Sequence, residues 1–295
     1  MGTYKHVADR DELVLINAAS TEILKNAFLE EILFPGNVLP GGFSLDAFLG
    51  SGGMSQVWRA EAPDGSAVAI KLPRSEMAQD PGAQELIRRE FRILDSLSSP
   101  HVLRAKELIM VGGSPALVTE YLSAGDLVSL CGTHPRHWAG AARDLAVALD
   151  HIHNQGMVHL DVKPRNVLLR NSQRASLVDF ALAEPLGCRT LKGGGTPAYQ
   201  SLDQRQGGAA VVGDDLHAFA VLLYELGTGH LPFGLNPSSA SLGPLALFLD
   251  LPDSAPALSA LAELVHATLG PDPKRRPKNM YVFLDVLESV VAFWQ

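Results

Sequence analysis

The stretch that decides the fold is His159-Leu160-Asp161-Val162-Lys163-Pro164-Arg165-Asn166, followed thirteen residues later by Asp179-Phe180-Ala181. It sets two carboxylates, an ammonium and a carboxamide in a short span flanked by β-branched and leucine residues. That is the composition of a site holding a charged, metal-bridged phosphate. Asp161 can orient a hydroxyl and accept its proton, and Lys163, two residues on, can neutralise a phosphoryl group in transfer. Asn166 and Asp179 offer one neutral and one charged hard oxygen, a pair suited to Mg2+, which completes its shell with water and nucleotide phosphates. A chance surface cluster of Asp, Lys and Asn is the other reading, and the rest of the chain bears on the choice.

The pattern resembles the catalytic loop and metal-binding motif of eukaryotic-like (Hanks-type) Ser/Thr protein kinases, H-R-D-x-K-x-x-N followed by D-F-G. Five polar positions match at fixed spacing, while Leu160 stands where the family has Arg and Ala181 where it has Gly. The resemblance implies an α+β, bilobal protein-kinase fold with Mg-ATP in the cleft. Residues 41–122 would form a small, mostly antiparallel β lobe with one main helix, and residues 123–295 a large, mainly helical lobe. The Gly-Gly-Met loop and the Ala/Gly-rich composition look like those of bacterial members.

A chain of 295 residues can bury a substantial core, and 46% hydrophobic with 19% charged residues describes an ordinary soluble globule. No apolar run approaches the roughly 18 residues of a membrane span. Asp9, Arg10, Asp11 and Glu12 do not lay out a signal peptide. A cytoplasmic protein without membrane partners is the expectation. A net charge of −8 argues against a nucleic-acid surface. Two cysteines, Cys131 and Cys188, are too few for a disulfide framework or a zinc site.

Residues 1–40 precede any motif. Ser20 or Thr21 can cap a helix running to about Leu33, with Ile23, Leu24, Ala27, Phe28 and Ile32 on one face, stopped by Pro35-Gly36. It either packs on the adjoining lobe or serves as a regulatory or dimer-forming element.

Phe43 to Leu49 alternates as a strand and leads through Gly50-Ser51-Gly52-Gly53-Met54-Ser55 back into a strand at Val57-Trp58. Such a hairpin is often only a turn, but glycines let backbone N–H groups approach phosphates closely. Val68-Ala69-Ile70-Lys71 follows at hairpin distance and resembles the kinase strand whose lysine holds the α- and β-phosphates. Ser55 takes the place of the third glycine. Residues 82–97 read as one helix with Leu86, Ile87, Ile93, Leu94 and Leu97 on its apolar stripe and Glu90 at the centre. A carboxylate there is costly without a cation, and Lys71 is the natural partner, although Glu90 could instead reach solvent.

By resemblance, Ala116 to Leu122 is the strand and hinge where backbone groups of Glu120 and Leu122 hold adenine, with Thr119 as gatekeeper and Asp126 toward the ribose. Leu49, Val57, Ala69 and Leu168 would sandwich the ring, though each could equally be ordinary core. His159 resembles the structural histidine beneath the Asp-Phe segment, with no proton-transfer role. Neither His151 nor His153 reads as a metal ligand.

Gly193-Gly194-Gly195-Thr196-Pro197-Ala198-Tyr199 resembles the end of a kinase activation segment. Thr196 with Lys163 implies Ser or Thr hydroxyls of proteins as acceptors. Ser201-Leu202-Asp203 replaces A-P-E, so Asp203 could pair with Arg276 only through a shorter arm. Leu160 removes the arginine by which a phosphorylated segment grips the catalytic loop, and activity without that switch is expected. Ala181 should restrict the backbone freedom of the metal-binding segment. Asp214 to Leu226 is apolar almost all round, a buried helix whose Asp215 would hold the catalytic loop.

The reading is therefore an ATP-dependent protein kinase. Asp161, Lys163, Lys71 and Glu90 are its catalytic residues, and Asn166 and Asp179 its ligands for Mg2+ or Mn2+. Leu49, Gly50, Gly52, Ser55, Val57, Ala69, Lys71, Thr119, Glu120, Leu122, Asp126 and Leu168 line the nucleotide. A nucleotide-binding scaffold without transfer activity, or a small-molecule phosphotransferase of the same fold, are the alternatives.

Overall fold

The computed structural model describes residues 33–190, 194–233 and 256–294. The helix expected after Ser20 or Thr21, Gly193, and residues 234–255 lie outside the described residues. The chain divides into two compact units. One takes residues up to Arg92 with Arg104–Tyr121, the other Ile93–Leu103 with Leu122 onward.

The first unit is built on a six-stranded antiparallel sheet of β1 (Val38–Leu39), β2 (Phe43–Ser51), β3 (Ser55–Glu61), β4 (Ala67–Pro73), β5 (Ala105–Val111) and β6 (Ser114–Glu120). Its order is β1-β2-β3-β4-β6-β5. Period-two alternation gives the sheet two distinct faces. In β4, Val68, Ile70 and Leu72 enter a cluster with Leu45, Trp58 and Val118, while Ala69 and Lys71 face the other way. Each fully buried aliphatic side chain there stabilises by about 1.5–3 kcal/mol. Helix α1 (Pro81–Ser96) begins where Asp80 Oδ1 accepts the Ala83 N–H at 2.7 Å. Ile87, Glu90 and Leu94 on α1 are buried.

In the second unit α2 (Pro135–Asn154) packs against α4 (Val212–Thr228), α6 (Tyr281–Phe293) and the strand β9 (Ala175–Leu177). Helix α2 starts at Pro135, because the His134 ring accepts the Arg136 N–H and Pro135 is preorganised for the first turn. Its buried run Ala139-Gly140-Ala141-Ala142 permits close approach on several sides. A Cβ on Gly140 would stand 2.8 Å from the Gln173 carbonyl oxygen. Strands β7 (Met157–Val158) and β8 (Val167–Leu169) bracket the catalytic loop, with β8 paired to β9 and β7 to β10 (Glu184–Pro185). A short α3 (Leu202–Arg205) precedes α4, and α5 (Pro256–Leu269) packs on α4 and α6.

The pairing considered for Asp203 does not form. Asp203 is exposed on α3, and the Arg276 guanidinium donates instead to the Gly270 carbonyl at 3.0 Å. Both line a cavity of about 430 Å3. Burial and the nearby Arg276 and Arg205 charges push His217, on the same cavity, down to about 4. A histidine below its unfolded value of about 6.5 is uncharged in the folded protein and binds a proton more readily when unfolded. Stability is therefore complete above pH about 6.5 and falls as the pH drops toward about 4, by up to roughly 3 kcal/mol. Urea unfolding across that range should show the loss, and His217→Gln should flatten it.

Candidate active site

In the first unit the face of the sheet away from the core carries Val57, Ala69, Lys71 and Thr119. Strand register sets Val57 opposite Lys71 and Ala69 opposite Thr119. Lys71 Nζ lies 2.7 Å from Glu90 Oε2, and the carboxylate is almost wholly buried. Beside them the β2–β3 hairpin turns through Gly50, Gly52 and Ser55, closed by the Gly52 N–H on the Ser55 carbonyl at 2.8 Å. Leu49, at the irregularity of β2, is exposed. Thr119 is buried, its hydroxyl donating to the Glu120 carbonyl at 3.1 Å, and Glu120 Oε1 accepts the Arg104 N–H.

In the second unit Leu122 is half-buried, and Asp126 Oδ1 accepts the Val128 N–H at 3.1 Å. Asp126 also bridges to Leu168 through the backbone. The catalytic loop then forms a closed network. Lys163 Nζ donates to Asp161 Oδ2 at 2.7 Å and to Thr196 Oγ1 at 2.9 Å, and the Thr196 hydroxyl donates to Asp161 Oδ1 at 3.1 Å. Asn166 Nδ2 donates to Asp161 Oδ2 and to the Asp161 carbonyl, both at 2.9 Å. With its amide hydrogens used on Asp161, Asn166 keeps Oδ1 as a hard oxygen. Val167 pairs with Leu177, so Asn166 and Asp179 stand at the same open end of the β8–β9 hairpin. One carboxamide oxygen beside one carboxylate fits a divalent ion that draws its other ligands from phosphates and water.

The backbone of this loop is held by groups the motif does not advertise. Leu160 and Asp179 have φ of 66° and 64°, the left-handed region that costs a non-glycine residue about 1 kcal/mol or more. Ala181 does not, which is why alanine is accepted there. Leu160 is clamped from both sides, its N–H on Asp215 Oδ1 at 2.8 Å and its carbonyl on Gln204 Nε2 at 2.7 Å. Its side chain packs with Val158 and Ala210.

Asp215 is fully buried. Burial alone would raise its pKa, but the His153 ring, at 2.9 Å, and the His159 N–H outweigh that and hold it below the usual carboxylate value. His159 accepts the Asp161 N–H on Nδ1 at 3.3 Å and meets the Val178 carbonyl through Nε2 at 3.1 Å, contacts that together require the Nε2–H tautomer. It therefore positions the loop, edge-on to Phe180 at 4.8 Å. Tyr199, raised well above the usual phenol range by burial and its bond to Glu225, ties the following segment to α4.

Sequence reasoning missed Gln204, His153 and Glu225. A lone Gln, His or Glu at a helical position carries no local sign of the distant group it meets.

A family model described as protein kinase domain matches residues 43–285. The chain is 33% identical over 271 residues to serine/threonine-protein kinase pkn2 of Myxococcus xanthus, covering 85% of this chain and 33% of that protein. It is 36% identical over 211 residues to serine/threonine-protein kinase PkaB of Streptomyces coelicolor, covering 65% of this chain and 50% of that one. The chain thus spans a third to a half of the length of these curated relatives. The kinase domain of PknI from Mycobacterium tuberculosis superposes with a TM-score of 0.65 at 23% identity, over 88% of this chain and 99% of that one, a likeness of fold. No helix among the described residues is long and apolar enough to cross a membrane. With the match taking in the glycine hairpin, the Lys71 to Glu90 pair and the whole catalytic loop, the chain belongs to the protein kinase domain family.

Proposed function

We propose that this chain transfers the γ-phosphoryl group of ATP to Ser or Thr hydroxyls of proteins. Residues 41–122 and 123–295 would be the two lobes and residues 1–40 an extension. The observation that carries this reading is the Asp161, Lys163 and Thr196 triangle. It fixes one carboxylate, already stripped of most solvent, where an incoming hydroxyl can hand over its proton. Thr196 and Lys163 orient that carboxylate, and Lys163 adds positive charge where negative charge develops. Lys71, held by Glu90, would take the α- and β-phosphates, and Asn166 and Asp179 would take the metal. ATP supplies the phosphoryl group, and Mg2+ or Mn2+ the charge that neutralises it. The names of the relatives support the acceptor class. A cytoplasmic site of action goes with the proposed use of ATP.

The test is incubation with γ-labelled ATP, Mg2+ and a generic protein acceptor. Transfer to Ser or Thr is expected, reduced about a hundredfold in Lys71→Met. Nucleotide binding with no transfer by the unaltered chain would make it a scaffold. Label on an aminoglycoside but on no protein would make it a small-molecule phosphotransferase.

We also propose that activity does not depend on a phosphorylated activation segment, because Leu160 is buried in an apolar cluster and offers no charge to a phosphate. Exhaustive phosphatase treatment should change the transfer rate by less than about twofold, whereas loss of tenfold or more would reverse this assignment.

A further inference from the structure

Away from the catalytic loop, a second cavity in the helical unit has no task in phosphoryl transfer. Its volume of about 650 Å3 lies within the roughly 300–1,000 Å3 of small-molecule sites. Arg136, His137 and Arg143 of α2, Gln173 and Arg174 of the β8–β9 turn, and Trp294 beyond α6 line it.

Three guanidiniums converge on this space, and no carboxylate is among its lining residues. The nearest acids lie behind or outside it. Asp144, fully buried, accepts from Arg174 Nε at 2.7 Å and from Arg143 Nη2 at 3.1 Å. Glu288, mostly exposed, is 3.9 Å from Arg143 Nη1. Asp144 therefore orients two arginines by one edge each, and among the described residues no acceptor meets the Nη groups of Arg174. Arg136 stands in the first turn of α2, where a cation opposes the helix dipole and an anion would be favoured. Among the described residues the buried Trp294 Nε1 meets no hydrogen-bond acceptor, which is costly for a donor. Gly140 adds the last element, since only its missing Cβ lets the 173–174 turn come this close to α2.

We propose that this cavity binds a small, multiply charged phosphate-bearing ligand. Its anionic groups are taken by Arg136, Arg143 and Arg174, and its remainder lies against Trp294. Planar guanidinium forks match phosphate oxygens in pairs, so three arginines suit a compact polyanion. An acidic peptide spreads single charges along an extended chain and would call for a groove.

Inorganic pyrophosphate without divalent metal is the probe, followed through the tryptophan indole N–H resonances of the whole chain. Trp58, on the core face of β3, reports any general change of the chain, and repeating the titration on Lys71→Met controls for binding at the nucleotide residues, since the Trp294 shift should persist there. The expected result is a saturable shift of the Trp294 resonance with Trp58 unmoved, weakened about tenfold or more in Arg136→Glu, whose side chain is exposed and donates to the His137 ring. Added salt should weaken it further. No shift up to about 10 mM pyrophosphate, or an equal shift in Arg136→Glu, would overturn the site. Binding of a polyglutamate peptide but not pyrophosphate would overturn the small-ligand assignment. None of these readings depends on transfer activity.

Discussion

Asp161→Asn is expected to lower kcat about a thousandfold while leaving the melting temperature nearly unchanged. The carboxylate receives Lys163 and Asn166 on Oδ2 and Thr196 on Oδ1. A carboxamide keeps one acceptor for Lys163, and its amide can face the Thr196 hydroxyl, which then accepts instead of donating. The packing therefore survives and only the basicity goes. A structural role for Asp161 predicts the reverse, a lowered melting temperature with kcat reduced in proportion to the unfolded fraction. Measuring both quantities on one preparation separates the two accounts. Equal transfer by Asp161→Asn and by the unaltered chain would mean that Asp161 accepts no proton and would overturn its proposed role.

Asp215→Asn should destabilise the protein by about 3–5 kcal/mol and lower kcat with it. One buried carboxylate receives the His159 and Leu160 N–H groups at 2.8 Å each and the His153 ring at 2.9 Å. A carboxamide must turn an N–H toward one of these donors, orphaning it in a site closed to solvent. The loss falls on the residue that can least bear it, since Leu160 is held in a left-handed conformation. Because the folded pKa of Asp215 lies below its unfolded value, this stabilisation is present above pH about 3.9 and fades as the pH falls beneath it. The shift in urea midpoint at neutral pH is the measurement. A change under about 1 kcal/mol would mean that Gln204 and His159 hold the loop unaided.

Much of the fold was legible because its signals are local. Alternation in Val68-Ala69-Ile70-Lys71 gives a strand with one buried face, and the stripe around Glu90 gives a helix whose central carboxylate requires a cation. The spacing of Asp161, Lys163, Asn166 and Asp179 is short enough that a loop and a hairpin must gather them. What could not be read were contacts between residues far apart in the chain.

The sequence by itself determined the family, the alternating sheet, the buried helices and the list of groups able to handle a phosphate, because periodicity and short-range spacing are written in neighbouring residues. Only the tertiary structure decided that Thr196 closes on Asp161, that Gln204 and Asp215 clamp Leu160, that Arg276 turns to a carbonyl instead of Asp203, and that three arginines share one cavity. Those are outcomes of packing, in which a single methylene or a missing Cβ selects one partner over another, and no local pattern encodes that choice.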